Sequence, residues 1–278
     1  MLSTIAAEWV KLVRHRATWG LVWIFPIGLT LLFLGFLAWE LGHGRLPHVG
    51  PPTTAGQWIF NTTFVWKLAG SGPARCLIGA FTALTFGGEY GWNTWKLIAP
   101  HRNRVALIGA KYLVVLGLFL AAFVAMAVVT LVFSLVSAAL THSPLPDGIT
   151  AGDLLAAHGK AALPVLLSTL LTMGYGSAAA VVFRSSMAGT ITAVAAVILE
   201  GLAGGFASLL NRQFFLTLPT YHLDNLTAWI GTGRGHALPS LAGGVTQWGW
   251  QPSLAVLAAW IAGLIALATS TFQRQDLN

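Results

Sequence analysis

The sequence predicts an all-α polytopic membrane protein with six transmembrane helices, and three observations carry that expectation. Only 8% of the 278 residues are charged, far below the roughly 25% typical of a soluble domain. Hydrophobic residues make up 56% of the chain, and the mean hydropathy is +0.74. The apolar residues fall in long runs divided by short basic or Pro/Gly-rich connections, the pattern of helices that satisfy their own backbone in lipid. The 31 glycines and 12 tryptophans suit closely packed spans and rings at the headgroup level. The formal net charge of +7 sits beside apolar runs, which favours anionic headgroups over nucleic acid as the partner. One cysteine, Cys76, excludes an internal disulfide and a Cys-based metal site.

Residues 3–16, STIAAEWVKLVRHR, place Ile5, Trp9, Leu12 and Val13 near one helical face and Glu8, Lys11, His15 and Arg16 largely elsewhere. That predicts an amphipathic elbow helix in the inner interface, with a merely basic juxtamembrane tail as the alternative. No cleavage-like site follows the first span, so it is expected to be retained. Spans are expected over residues 19–39, 73–88, 105–139, 161–183, 187–210 and 252–271. The second is short for the roughly 20 residues that cross the hydrocarbon, which calls for Arg75 to snorkel or for local thinning. Residues 40–72, rich in proline and glycine, read as an outer loop ending in an aromatic stretch, QWIFNTTFVWKL, that skims the interface. Arg184-Ser185-Ser186 makes a tight inner turn, and residues 211–251 form a long outer region. Asn61-Thr62-Thr63 and Asn225-Leu226-Thr227 match glycosylation acceptors, a short motif common by chance.

Six spans put both termini on one side, and the bases say which. Lys11, Arg14, Arg16, Lys96, Arg102, Arg104, Lys111, Arg184 and Arg274 lie on the N-terminal side, nine against the six of Arg45, Lys67, Arg75, Lys160, Arg212 and Arg234. Both termini are therefore expected in the cytoplasm.

The stretch EYGWNTWKLIAPHRNRVALIGAK, residues 89–111, is the long charged and aromatic interruption between two spans. Glu89 is placed to face the unsatisfied amides at the start of a following helix. Trp92, Trp95 and Ile98 form an apolar stripe, Pro100 stops the helix, and Tyr90, Asn93 and Thr94 are left for a soluble partner. A short helix over 89–100, gripped by two spans, can pass force into the bundle. An ordinary anchored loop is the competing reading.

With those residues in view, the chain resembles the permease subunits of ABC-2 type transporters, especially six-span bacterial permeases of drug, bacteriocin and antibiotic-peptide export or immunity. The family look includes an elbow helix with a Glu and a Lys, here Glu8 and Lys11 flanking Trp9 in AEWVKLVRHR. It continues with a glutamate ending span 2, a Thr-containing coupling helix, and an arginine then a lysine opening span 3. These fall on Glu89, Thr94, Arg104 and Lys111. The usual glycine before the threonine is Asn93 here, and the basic run HRNR is somewhat unusual. TMGYGSAAAVVFRSSMAGT, joining spans 4 and 5, also looks familiar. The resemblance implies a bacterial inner-membrane location, no ATP site in this chain, and pairing with a second permease copy or a related permease. It further implies two cytoplasmic ATP-binding subunits, which bring the ATP and Mg2+. The chain itself has no GxxxxGK[ST] loop and no soluble segment large enough for a nucleotide-binding domain. Gly231-Thr232-Gly233-Arg234-Gly235 lacks the Lys-Ser/Thr ending of a phosphate loop.

Glu200 is the carboxylate placed well inside a span. An ionised carboxylate in hydrocarbon is costly, so it faces an export path, a hydrogen-bond partner on another span, or the outer rim. His158 and His222 have no ligand set and read as satisfied or solvated, and Asp224 near His222 lacks the third member of a catalytic triad. Two other classes compete with the permease: an intramembrane enzyme acting on lipid, which would need a converging carboxylate, histidine or metal set, and a non-transporting scaffold or sensor. The substrate expected of a permease is hydrophobic or amphipathic, such as a peptide, drug or lipid-like molecule.

Overall fold

In the computed structural model the chain is described over residues 2–43, 54–91, 94–98, 103–140, 145–206, 212–239 and 245–275. These residues form twelve helices and one two-stranded hairpin. The N-terminal elbow is α1 (Leu2–Val13) followed by α2 (Arg16–Leu21), with the His15 ring capping α2 by accepting from the Ala17 amide at 3.2 Å. Then come α3 (Ile24–Gly42), α4 (Ala55–Ala69), α5 (Gly72–Gly91), α6 (Trp95–Ile98), α7 (Arg104–Leu140), α8 (Ala151–Phe183) and α9 (Ser186–Gly205). The chain closes with α10 (Arg212–Phe215), α11 (Pro219–Thr232), strands β1 (Leu238–Pro239) and β2 (Val245–Thr246), and α12 (Trp250–Arg274). The strands pair antiparallel, Leu238 opposite Thr246.

The expectation of six transmembrane helices is corrected. Among the described residues four helices are long and apolar enough to cross a membrane: α7, α8, α9 and α12. A shorter apolar run, Ile24–Trp39, lies within α3. The first expected span loses length because the helix breaks between α2 and α3, at Val22 and Trp23. The second expected span does form a 20-residue helix, α5, but Arg75, Thr82, Thr85 and Glu89 face inward on it. Protein rather than lipid surrounds α5, which packs most extensively on α8 and α9. Its composition matches that environment, and its apolarity falls short of a crossing helix.

Glycine sets the closeness of this packing. A Cβ on Gly87 of α5 would lie 2.5 Å from the backbone of Ser186, where α9 begins, and one on Gly176 of α8 would lie 2.6 Å from the Gly79 carbonyl oxygen. The tight turn between α8 and α9 holds Arg184 in a left-handed conformation (φ 50°), unusual for a residue with a Cβ. Ser185 then caps α9 by accepting from the Ala188 amide at 3.3 Å.

The helix containing residues 161–183 begins at Ala151, because Thr150 and Asp153 form a capping box: each side chain bonds the other's backbone amide. Pro164 lies inside α8 without ending it. Residues 55–69 of the expected outer loop are helical, and α4 packs on α7 and α8 through Trp58, Thr62, Val65, Trp66 and Ala69. On the far side of the bundle α11 packs on α12 and α8.

Candidate functional site

Five of the residues singled out by sequence converge at one end of the bundle. Lys111, about two turns into α7, is fully buried. Its Nζ lies 3.0 Å from Glu8 Oε2 on α1 and 2.9 Å from Glu89 Oε1 at the end of α5. Lys11 also reaches both carboxylates, Glu8 at 2.8 Å and Glu89 in a closer contact. Thr94, just before α6, donates its hydroxyl to the same Glu89 carboxylate. Two lysines therefore face two glutamates, and the cluster is neutral in sum. A buried charge is tolerable when it is paired and hydrogen-bonded. The Lys111 ammonium further donates to the Thr85 carbonyl at 3.4 Å and lies 5.2 Å from the centre of the Trp95 ring. Spacing on α1 explains the contact: Thr4, Glu8 and Leu12 share a stripe, and that stripe is buried, with α1 packing on α7. Trp9 falls off the stripe and is 43% exposed.

Tyr90 and Arg104 build a second plate beside the first. The Tyr90 hydroxyl donates to Gln275 Oε1 at 2.6 Å, and Gln275 Nε2 donates to the Val181 carbonyl near the end of α8 at 2.8 Å. Arg104 donates to the carbonyls of Phe272, Gln273 and Gln275 at 3.1, 2.9 and 2.9 Å. A guanidinium on the free carbonyls that end a helix satisfies both their hydrogen bonding and the helix dipole. The elbow, the end of α5, α6, the start of α7 and the end of α12 thus meet at one end, which brings the N-terminal helix and the last helical turn together. Tyr90 and Thr94 are half-buried in these contacts, whereas Lys96 on α6 is exposed. Asn93 and Trp92, and residues 99–102 with Pro100 and Arg102, lie outside the described residues.

Glu200 belongs to a separate cluster toward the other end of α5. Its carboxylate pairs with Arg75 at 2.5 Å and accepts from the Tyr175 hydroxyl, while Arg75 Nε donates to Thr172 Oγ1 at 3.0 Å. Of the placements open in the sequence, the structure shows a partner on a neighbouring helix. Arg75 was legible as a basic residue near a helix start, but its pairing with Glu200, 125 positions later, leaves no local signal. α5 therefore carries a charged pair at each end, fourteen residues apart, about 21 Å along the axis.

His158 and His222 are satisfied. His158 Nδ1 accepts from Trp66 Nε1 at 2.9 Å. His222 bonds Ser253 Oγ at 3.1 Å and the Leu216 carbonyl at 2.8 Å, and burial holds its imidazole below the usual range. Asp224 is exposed and lines a cavity. Asn225 is fully buried, its amide donating to Ser253 Oγ at 2.7 Å and the Trp248 carbonyl at 3.1 Å. That burial removes it as a glycosylation acceptor.

No protein-family model, curated protein or solved structure matches the chain. Fold and site together define an all-helical polytopic membrane protein with several long apolar helices, of the kind that could form a transport path.

Proposed function

We propose that the chain is the membrane subunit of an ATP-driven exporter of the ABC-2 type, with ATP hydrolysed by a separate cytoplasmic partner. One observation supports this reading above the rest: Glu8, Lys11, Glu89, Thr94 and Lys111 meet in one buried cluster. These residues lie on four segments spread over more than a hundred positions, and all five carry the resemblance to the ABC-2 permeases. Their meeting fastens the elbow and α6 to the ends of α5 and α7. A push on α6 is then carried by ionic contacts into buried helices rather than dissipated in a loop. The end bearing the cluster also bears Arg14, Arg16, Lys96, Arg104, Arg184 and Arg274, an excess of bases that supports a cytoplasmic orientation, where such a partner would dock. A bacterial inner membrane, paired permease copies and a hydrophobic or amphipathic cargo complete the reading.

The test is isolation of the tagged chain in mild detergent from cells that produce it naturally, followed by an ATPase assay. A complex is expected that hydrolyses ATP and contains a nucleotide-binding subunit in equal number to the permeases. A chain that isolates alone from cross-linked membranes, with no associated hydrolysis, would contradict the proposal.

A further inference from the structure

At the end of the bundle opposite the lysine–glutamate cluster, a cavity of about 600 Å3 opens among α4, the start of α5, α8 and α11. That volume lies within the range of small-molecule sites. Trp66, Val165 and Leu223 give it apolar walls. Lys67 of α4 and Lys160 of α8 line it and are exposed. Among the described residues neither lysine has a carboxylate within ion-pair distance. The Lys67 ammonium instead lies 4.7 Å from the centre of the Phe60 ring. Arg75 also reaches the lining, but Glu200 neutralises it. Against the two lysines stands one acid, Asp224.

We propose that this cavity binds an anionic amphiphile, with Lys67 and Lys160 taking a phosphate-bearing head and Trp66, Val165 and Leu223 taking an apolar tail. Ammonium groups pair with phosphate as point charges, and the two-to-one excess of bases over acid rejects a cationic head. As a binding site the cavity stands without the exporter reading; as the place where cargo loads, it rests on that reading. The head chemistry is shared by a resident phospholipid and by a separate phosphate-headed molecule.

The experiment uses the purified full chain in maltoside micelles, without any ATPase, so its outcome is independent of the exporter proposal. Binding of a short-chain phosphatidic acid is compared with the matched diacylglycerol and with inorganic phosphate. Phosphatidic acid is expected to bind roughly tenfold or more tightly than either, the size of one charge-assisted hydrogen bond. The double variant Lys67→Gln/Lys160→Gln should lose that advantage, and Asp224→Asn should strengthen binding. Both lysines are exposed, so the parent's elution volume and unfolding temperature should be retained. Equal binding of the three probes, or unchanged binding by the double variant, overturns the proposal. In nanodiscs, competition by added phosphatidylglycerol assigns the site to a resident lipid; retained probe binding assigns it to a separate molecule.

Discussion

Lys111 Nζ lies 2.9 Å from Glu89 Oε1, joining the start of α7 to the end of α5 through a fully buried ammonium. Removing one member of such a pair leaves charge stranded in the interior. Lys111→Ala is expected to destabilise the protein by about 3–5 kcal/mol, read from chemical unfolding in detergent. Lys111→Met combined with Glu8→Gln and Glu89→Gln should recover much of that loss, because no buried ion is left unpaired and Lys11, which loses its carboxylates, is exposed to solvent. A triple variant as unstable as Lys111→Ala would show that packing, not charge, dominates the site.

Arg75 and Glu200 predict the same logic at the other end of α5. Glu200→Leu should cost about 3 kcal/mol by stranding Arg75, and Glu200→Gln should cost less because it still accepts from Tyr175. Adding Arg75→Leu to Glu200→Leu should restore more than half of the stability. A double-mutant cycle measures this coupling directly, and strict additivity would refute it.

Close helix approach makes Gly87 and Gly176 intolerant of a methyl group. Gly87→Ala and Gly176→Ala should each cost about 1–3 kcal/mol through overpacking against backbone. Gly20→Ala, with nothing within 4 Å of the added carbon, should be neutral or slightly stabilising by helix propensity. Thermal unfolding of the three variants side by side checks the ranking.

His222 should make stability pH-dependent. Its imidazole is held below the usual 6.5 by burial, so the unfolded chain takes up the proton more readily than the folded one. The contribution is complete above pH 6.5 and is lost as the pH falls below it toward the folded value. Unfolding followed from pH 8 to pH 5 should show this loss, and His222→Gln should flatten that part of the profile.

Composition made the helical membrane class legible, the family resemblance marked Glu8, Glu89 and Lys111, and a place inside an apolar span marked Glu200. Their partners were not legible, because Lys111–Glu8 and Arg75–Glu200 each span about a hundred residues and depend on which helices adjoin. The count of crossings failed for a physical reason. Hydropathy assumes lipid around a span, while α5 is wrapped by α8 and α9 and can carry Arg75 and Glu89 inward. Thr150-Ala-Gly-Asp153 was a readable helix start, and it would have placed the beginning of α8 ten residues earlier.

The most direct measurement of the account is photocross-linking from the exposed position on α6. A benzoylphenylalanine replacing Lys96 should cross-link, in native membranes, to a protein whose peptides include a nucleotide-binding GxxxxGK[ST] loop. The same group replacing Lys160, at the opposite end, should not. Cross-linking to such a protein from position 96 alone is the predicted result; none from 96, or equal yield from 160, would contradict the assignment of this end as the place where ATP hydrolysis is coupled to the membrane bundle.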